Sequence, residues 1–318
     1  MRSVTVFAPA TVANVGSAFD VLGFAVAAPG DTVTARRLER PGVTISEIMG
    51  DNGVLSRDPS RNTAGVSILA LLKHLETRNI ATLATTGIDL ALKKGLPIGS
   101  GLGSSSASTV AAVVAANDLL GSPLSRAELL PFAMEGERIA CGAAHADNVA
   151  PALLGGFVLI RSYDPLDVVH LPTPSKAWVT VLSPNLELKT QDARKVLKRS
   201  VSLESAISQW GNVAALVAGI YQNDVRLMGR ALEDKIVEPE RAQLIPGYAA
   251  AKKAALEAGA AGCSISGSGP SVFAFTESET AAHTVGSAMQ SAFAVLEIQS
   301  KVYVSQINST GTSVVHKE

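Results

Sequence analysis

The sequence predicts an α+β protein of two domains, and three observations carry that prediction. Apolar residues switch between strict alternation, as in Ser3 to Phe7 (SVTVF), and helical spacing, as at Val66, Leu69, Ala70, Leu72 and Leu75. A chain of 318 residues, 47% of them hydrophobic, is long enough for two packed units of about 150 residues each. Pro165, Pro172 and Pro174 cluster near the middle and place the division between 1–167 and 168–318.

Taken in order, Ser3 to Phe7 reads as a half-buried strand that stops at Pro9. Ala8 to Gly23 (APATVANVGSAFDVLG) is turn-rich and carries two polar residues, Asn14 and Asp20. Asp31 to Leu38 alternates again, and Val43 to Glu47 is a short strand. Asn62 or Thr63 caps a helix that continues to Arg78. Thr86 to Leu92 is a strand that feeds Pro97 to Ala107 (PIGSGLGSSSA), behind which Ser106 to Leu120 is an Ala-rich helix. Ser125 opens another helix, with Glu128 three residues on as a capping box. That helix runs to a small-residue break, Cys141 to Ala144, followed by His145, Asp147 and Asn148. Strands are expected over Phe157 to Arg161, Val168 to Leu171 and Ala177 to Leu182, with a turn at Tyr163 to Pro165. Ser183 to Arg194 is read as a loop. Helices follow over Leu203 to Tyr221, Val225 to Glu233 and Gly247 to Ala258. Gly262 to Pro270 (GCSISGSGP) is a second Gly/Ser turn; a strand over Val272 to Phe275, a helix over Thr280 to Phe293 and a strand over Ile298 to Val304 complete the pattern.

Composition narrows the function classes. The formal net charge is −1 and no basic cluster is denser than Lys198-Arg199 or Lys252-Lys253, which argues against a nucleic-acid or membrane-surface binder. A small-molecule partner is expected. The two cysteines, Cys141 and Cys263, form neither a CxxC nor a Cys/His ligand pattern, and read as buried small hydrophobes in a reducing compartment. The first residues lack the pattern of a cleaved signal and no segment is apolar enough to span a bilayer, so the expected location is the cytoplasm.

The chemically informative stretch is PIGSGLGSSSA. Gly99, Gly101 and Gly103 let the backbone take positive φ and approach another molecule closely. The helix behind them offers unpaired N–H groups, so the stretch is an anion site. It is not a Walker A loop, which needs GxxxxGK[ST], and the Rossmann pattern fails at Ser104. A nucleophile elbow over Gly103 to Ala107 would need an acid and a His afterwards in order. Several hydroxyls beside a Gly-rich turn suit a nucleoside triphosphate with magnesium.

These residues resemble the ATP-phosphate loop of the superfamily that groups galactokinase, homoserine kinase, mevalonate kinase and phosphomevalonate kinase. APATVANVGSAFDVLG is similar to the first motif of homoserine kinases, and SISGSGPSVFAF to the third motif of the superfamily. HADNVAPALLGGF, TQDAR and DKIVEPERAQLIP also resemble homoserine kinase segments, in the same order along the chain. The usual Pro-Gly of the first motif is replaced here by Ser17-Ala18. The resemblance implies the superfamily's two-domain small-molecule kinase fold, with a ribosomal S5 domain 2-like N-terminal domain and a ferredoxin-like C-terminal domain. It implies ATP-dependent phosphorylation of the L-homoserine hydroxyl in threonine biosynthesis, with Mg2+, by a cytoplasmic homodimer. The rival readings are another kinase of the superfamily, of mevalonate or sugar type, and a catalytically silent nucleotide-binding regulator.

The resemblance also implies roles. The ATP loop is Pro97, Ile98, Gly99, Ser100, Gly101, Leu102, Gly103, Ser104, Ser105, Ser106 and Ala107. Homoserine is a zwitterion, so its ammonium needs an acceptor and its carboxylate a cation. Asn14 and Asp20 are assigned to the first, although an Asx turn is the plain alternative. Arg194 and Arg241 are assigned to the second, because a guanidinium matches a carboxylate bidentately. His145 and Thr190 are expected to line the acceptor pocket. Glu137 and Ser105 are the implied magnesium ligands, with Glu135 a close competitor for the same role. Asp147 and Asn148 are the implied catalytic pair, either abstracting the hydroxyl proton or only orienting the acceptor.

Overall fold

The computed structural model describes residues 1–81, 84–142 and 144–318. Among them eleven strands form two sheets. The larger sheet contains β1 (Ser3–Ala13), β2 (Leu22–Leu38), β3 (Gly42–Met49), β4 (Gly87–Lys93), β5 (Phe157–Tyr163) and β6 (Leu166–Leu171). The smaller contains β7 (Trp178–Pro184), β8 (Gly262–Ile265), β9 (Val272–Thr276) and β10 (Ser300–Gln306) in the order β10-β7-β9-β8. The last strand, β11 (Ser313–Lys317), returns to pair with β1, giving the order β11-β1-β2-β4-β3, while β5 pairs with β2 and β6.

Helices α1 (Thr63–Thr77), α2 (Ser104–Leu119), α3 (Arg126–Cys141) and α4 (Val149–Leu154) accompany the larger sheet. Asn62 caps α1 by accepting the Ala64 N–H at 3.0 Å. The capping box at Ser125 and Glu128 is formed as the sequence predicts. Helix α2 is made of Ala, Val and small hydroxyl residues and is buried almost all round, as a helix apolar on every side must be. Its N-terminus is thereby fixed at the centre of the molecule. The second half adds α5 (Thr190–Lys195), α6 (Leu203–Gln222), α7 (Val225–Arg230), α8 (Glu238–Arg241), α9 (Tyr248–Glu257) and α10 (Glu279–Ala294). Among the described residues no helix is long and apolar enough to cross a membrane.

Both sheets share one core. Phe24 of β2 packs on Phe157 of β5 at 4.9 Å between ring centroids, and on Phe273 and Phe275 of β9 at 5.8 and 5.5 Å. Aromatic burial of this kind is a large apolar contribution and joins the two layers at one seam.

Several elements differ from the sequence expectation. Strand β1 passes through Pro9 instead of stopping there, because the pairing with β2 shifts register between Pro9 and Thr11, and a bulge tolerates a residue without an N–H. Helix α2 starts at Ser104, two residues early, which puts the three serines into its first turn. The loop expected over Ser183 to Arg194 contains the end of β7 and most of α5, and β8 occupies the start of the GCSISGSGP turn. The expected division between 167 and 168 falls inside β6, which belongs to the larger sheet, and β11 also joins that sheet. Cys263 is buried, and burial pushes its thiol up to about 12. The small-residue break at Cys141 to Ala144 and the Cys141 side chain lie outside the described residues.

Candidate active site

The phosphate loop bridges β4 and α2. Gly99, Gly101 and Gly103 all take positive φ, at 67°, 78° and 67°. Gly103 is the residue before the helix, and a Cβ there would lie 2.1 Å from Thr11 Oγ1 and 2.9 Å from Asn148 Oδ1. Those two atoms already bond each other, Thr11 Oγ1 donating to Asn148 Oδ1 at 2.7 Å. The loop therefore rests directly on Asn148. From the other side the GCSISGSGP turn holds it: Ser266 Oγ donates to Gly101 O at 2.8 Å and Ser271 N to Ser100 O at 3.1 Å. Ile98 to Gly101 and Gly103 to Ser106 line a cavity of about 490 Å³. Pro97, Leu102 and Ala107 are not part of its wall. Leu102 and Ala107 are buried in the core, and Pro97 shapes the loop by accepting the Ser100 hydroxyl at 2.8 Å.

The same cavity reaches Asn14, Asp20, His145, Asp147, Asn148, Thr190, Arg194 and Arg241. Sequence separation hides this grouping. Asn14, Val15 and Asp20 all have positive φ, and a β-branched residue such as Val15 in that region marks a strained turn. Asn14 holds it, accepting the Asp20 N–H at 2.9 Å and donating to Gly267 O at 2.8 Å. Its side chain is thus occupied by the Asx arrangement. Ser17, in place of the usual Pro, donates to Ala231 O at 2.9 Å and pins the turn from outside. Asp20 itself faces the cavity. Helix α5 puts Thr190 and Arg194 one turn apart on one face, and Arg194 forms a forked pair with Asp20 at 2.8 and 3.1 Å.

Arg241 is buried, donating through Nε to Ala193 O at 3.2 Å and through Nη1 to Gly267 O at 2.9 Å. Burial, followed by the neighbouring Arg194 charge, brings its guanidinium down to about 10. The Phe19 ring lies against both guanidiniums, with centroid distances of 5.2 Å to Arg194 and 5.0 Å to Arg241. The loop leading to α8 is fixed by Asp234, whose carboxylate accepts the N–H groups of Ile236, Val237 and Glu238. His145 Nδ1 faces Asp20 Oδ1 at 3.8 Å, and its Nε2 is buried with no hydrogen-bond partner among the described residues. Burial holds the imidazole below its ordinary pKa, aided by the Arg194 and Arg241 charges and opposed by Asp20.

Between the two ends lies Asp147. Burial, then the Asp20 and Glu137 carboxylates, raise it to about 7. The two candidate glutamates separate clearly. Glu135 pairs with Arg138 at 3.1 Å on the exposed face of α3, whereas Glu137 is buried and lines the cavity. Ser105 and Ser106 both line it, and Ser106 has the buried hydroxyl with no partner among the described residues.

Comparison with known proteins follows this geometry. Residues 65–156 match the GHMP kinases N terminal domain and residues 216–295 the GHMP kinases C terminal domain. A homoserine kinase of Chlorobaculum tepidum is 52% identical, with 99% of each chain covered, and one of Chlorobium phaeobacteroides is 51% identical over 99% of this chain and 100% of the relative. The crystal structure of homoserine kinase from Cytophaga hutchinsonii superposes with a TM-score of 0.94 at 55% identity, covering 99% of this chain and 98% of that one. The chain belongs to the homoserine kinase family. A mevalonate kinase of L. major, with a TM-score of 0.72 at 15% identity over 95% of each chain, shares the homoserine kinase fold.

Within this homoserine kinase framework, four residues that shape the site escaped the sequence reading. Gly267 O receives both Asn14 and Arg241, so the second Gly/Ser turn ties the acceptor end to the phosphate end. Phe19 is the apolar spacer between the guanidiniums. Tyr163 Oη donates to Asp20 O at 2.9 Å and accepts the Ala146 N–H at 3.3 Å, joining the two acceptor loops. Lys94, directly before the phosphate loop, also reaches the cavity wall. The only signal for Lys94 was its position two residues after Leu92, where an exposed charge is the ordinary expectation.

Proposed function

We propose that this protein transfers the γ-phosphoryl group of ATP to the side-chain hydroxyl of L-homoserine, yielding ADP and O-phospho-L-homoserine for threonine biosynthesis. The observation that carries this reading is one cavity with an amide-rich loop at one end and the Asp20, Arg194, Arg241 cluster at the other. The full-length relatives named homoserine kinase support the choice of acceptor.

The amino acid brings one charge for each side of the Asp20–Arg194 pair. Its carboxylate is taken by Arg194 and Arg241, and its ammonium by Asp20. A neutral His145 with its Nδ1 proton toward Asp20 has Nε2 as an acceptor for a further ammonium N–H. Thr190 and Phe19 close the pocket around the aliphatic stem. The hydroxyl then points to Asp147 and the phosphate loop. As the hydroxyl oxygen bonds to the γ-phosphorus and the bond to the β-phosphate oxygen breaks, Asp147 receives the hydroxyl proton. Asn148 braces Gly103 of the loop. Phosphoryl transfer of this loose kind depends chiefly on alignment and charge stabilisation, and the first turn of α2 supplies N–H groups for the polyphosphate.

A divalent cation fits this donor set. Glu137 and the Ser106 hydroxyl, beside Ser105, are hard oxygen donors, and Mg2+ held there would neutralise charge on the phosphates. No cluster of three His, Cys, Asp or Glu is gathered among the described residues, so the remaining ligands would be phosphate and water oxygens.

ADP release measured with L-homoserine, mevalonate, galactose and shikimate tests the reading. Turnover is expected with L-homoserine alone; activity only with another acceptor, or nucleotide binding without turnover, overturns it. A second expectation concerns the loop. Gly103→Ala forces a left-handed alanine against the Thr11–Asn148 bond, and kcat/KM for ATP is expected to fall about tenfold or more. The KM for L-homoserine should stay within about threefold of the parent, because none of its partners moves.

A further inference from the structure

Beneath the phosphate loop lies a charge pair that the reaction scheme above does not use. The Lys94 side chain is 2% exposed and the Asp31 side chain 1%. The ammonium donates to the Asp31 carboxylate, to Ser104 O at 2.7 Å and to Ser108 Oγ at 2.7 Å. Those are all the N–H bonds it has. Asp31 in turn accepts from Ser108 Oγ at 2.8 Å, Gly95 N at 2.9 Å and Leu96 N at 3.1 Å. Ser104 and Ser108 stand one turn apart at the start of α2, so the pair fastens that turn to β2 and to the residues entering the loop.

The pair is also oriented. Lys94 forms part of the cavity wall and Asp31 does not, so the positive end faces the ligand space. Burial lowers the Lys94 ammonium pKa, while Asp31 and, after it, Glu137 and Asp51 work in the opposite direction. Buried ion pairs are poor stability devices, since apolar replacements of equal volume often serve as well. A pair at this position, with its positive end toward an anion cradle, has a different use: the field it adds to the helix N-terminus is undiluted by water.

We propose that Lys94 is a positioning residue for the polyphosphate of the nucleotide, fixing the first turn of α2 through Ser104 and Ser108 and presenting a desolvated positive charge beneath the loop. This rests on the reading of the loop as the ATP-phosphate site. Lys94 acts on the β- and γ-phosphate end, not on the base or on the amino acid.

The test is the paired substitution Lys94→Met with Asp31→Asn, which removes both charges at similar volume. Lys94→Met alone would strand the Asp31 charge and is expected to unfold the protein. Calorimetric titration of the purified protein with ADP and with AMP, in the presence of magnesium, gives the readout. The Kd for ADP is expected to rise about tenfold or more, with the Kd for AMP and the KM for L-homoserine within about threefold of wild type. Equal losses for ADP and AMP would mean a general lesion and overturn the proposal, as would an ADP affinity within about threefold of wild type. If the double variant does not fold, Ser108→Ala decides the matter, because it removes one ammonium partner without stranding a charge. An ADP Kd raised about threefold with AMP unchanged supports the proposal, and an unchanged ADP Kd overturns it. Wild-type protein that binds ADP without phosphorylating L-homoserine would sink the kinase reading while the Lys94 comparison still stands; wild-type protein that does not bind ADP sinks both.

Discussion

Replacing Asp147 by Asn is expected to lower kcat by roughly 10²- to 10⁴-fold, the usual contribution of a positioned proton acceptor. The substitution keeps the shape of the side chain and removes only its capacity to take a proton. Because burial and the Asp20 and Glu137 charges raise the carboxyl to about 7, kcat/KM of the wild type should climb with pH and level off above about 7. That limb should vanish in the Asn variant. A fall of less than about tenfold, with the limb intact, would leave Asp147 an orienting group and place the proton on the phosphate.

The same raised value has a stability consequence of definite sign. Between pH 3.8 and about 7 the folded protein holds a proton on Asp147 that the unfolded chain has released. Stability from this group is complete below the lower value and is lost as pH rises through the upper one. The variant has no such loss. Its Tm should therefore exceed that of the wild type at pH 8 by a margin that disappears near pH 4, the difference in free energy being on the order of 4 kcal/mol. Equal Tm profiles would mean that Asp147 is not desolvated. Raised stability together with lost turnover is the pattern expected of a buried group kept for chemistry.

What could be read in advance divides along physical lines. Local signals were legible: the caps at Asn62 and Ser125 concern residues two or three apart, and the Gly/Ser composition of PIGSGLGSSSA announces an anion site by itself. The acceptor end was legible only as a resemblance, because Asn14, Asp20, Arg194 and Arg241 converge from separate elements and each alone looks like a turn former or a solvated charge. Burial, which is a tertiary property, decided the rest. It separates Glu137 from Glu135, two residues apart on one helix, and it turns Lys94 and Asp31, 63 positions apart, into one pair. Side-chain occupancy was equally hidden. Asn14, assigned to the substrate from its motif, spends both ends of its amide on Asp20 N and Gly267 O. Its contribution to recognition is then the strained turn that aims Asp20. Strand β1 shows the same limit for the backbone, since Pro9 reads as a stop until the bulge opposite β2 is seen.

Asp20 is therefore the position where recognition of the ammonium group is most exposed to test. Asp20→Asn removes the only carboxylate paired with Arg194 and leaves two guanidiniums flanking Phe19 without their counter-charge. Truncating one partner of a hydrogen-bonded charge pair costs about 2–5 kcal/mol, and the partial exposure of Asp20 and Arg194 places this case toward the lower half of that range. The KM for L-homoserine is expected to rise about 30- to 300-fold, with the KM for ATP unchanged within about threefold. The sharper consequence concerns 4-hydroxybutyrate, which has the carboxylate and the hydroxyl but no ammonium. Wild-type protein should discriminate strongly against it, because Asp20 and His145 Nε2 would be left without the donor they are placed to accept. In the Asn variant the ammonium meets two guanidiniums with no carboxylate between them, so its presence changes from an advantage to a burden. The ratio of kcat/KM for L-homoserine over 4-hydroxybutyrate should then collapse by at least about tenfold. A ratio equal to that of the wild type would show that the ammonium is held elsewhere, and that the Asp20–Arg194 pair only braces the loop.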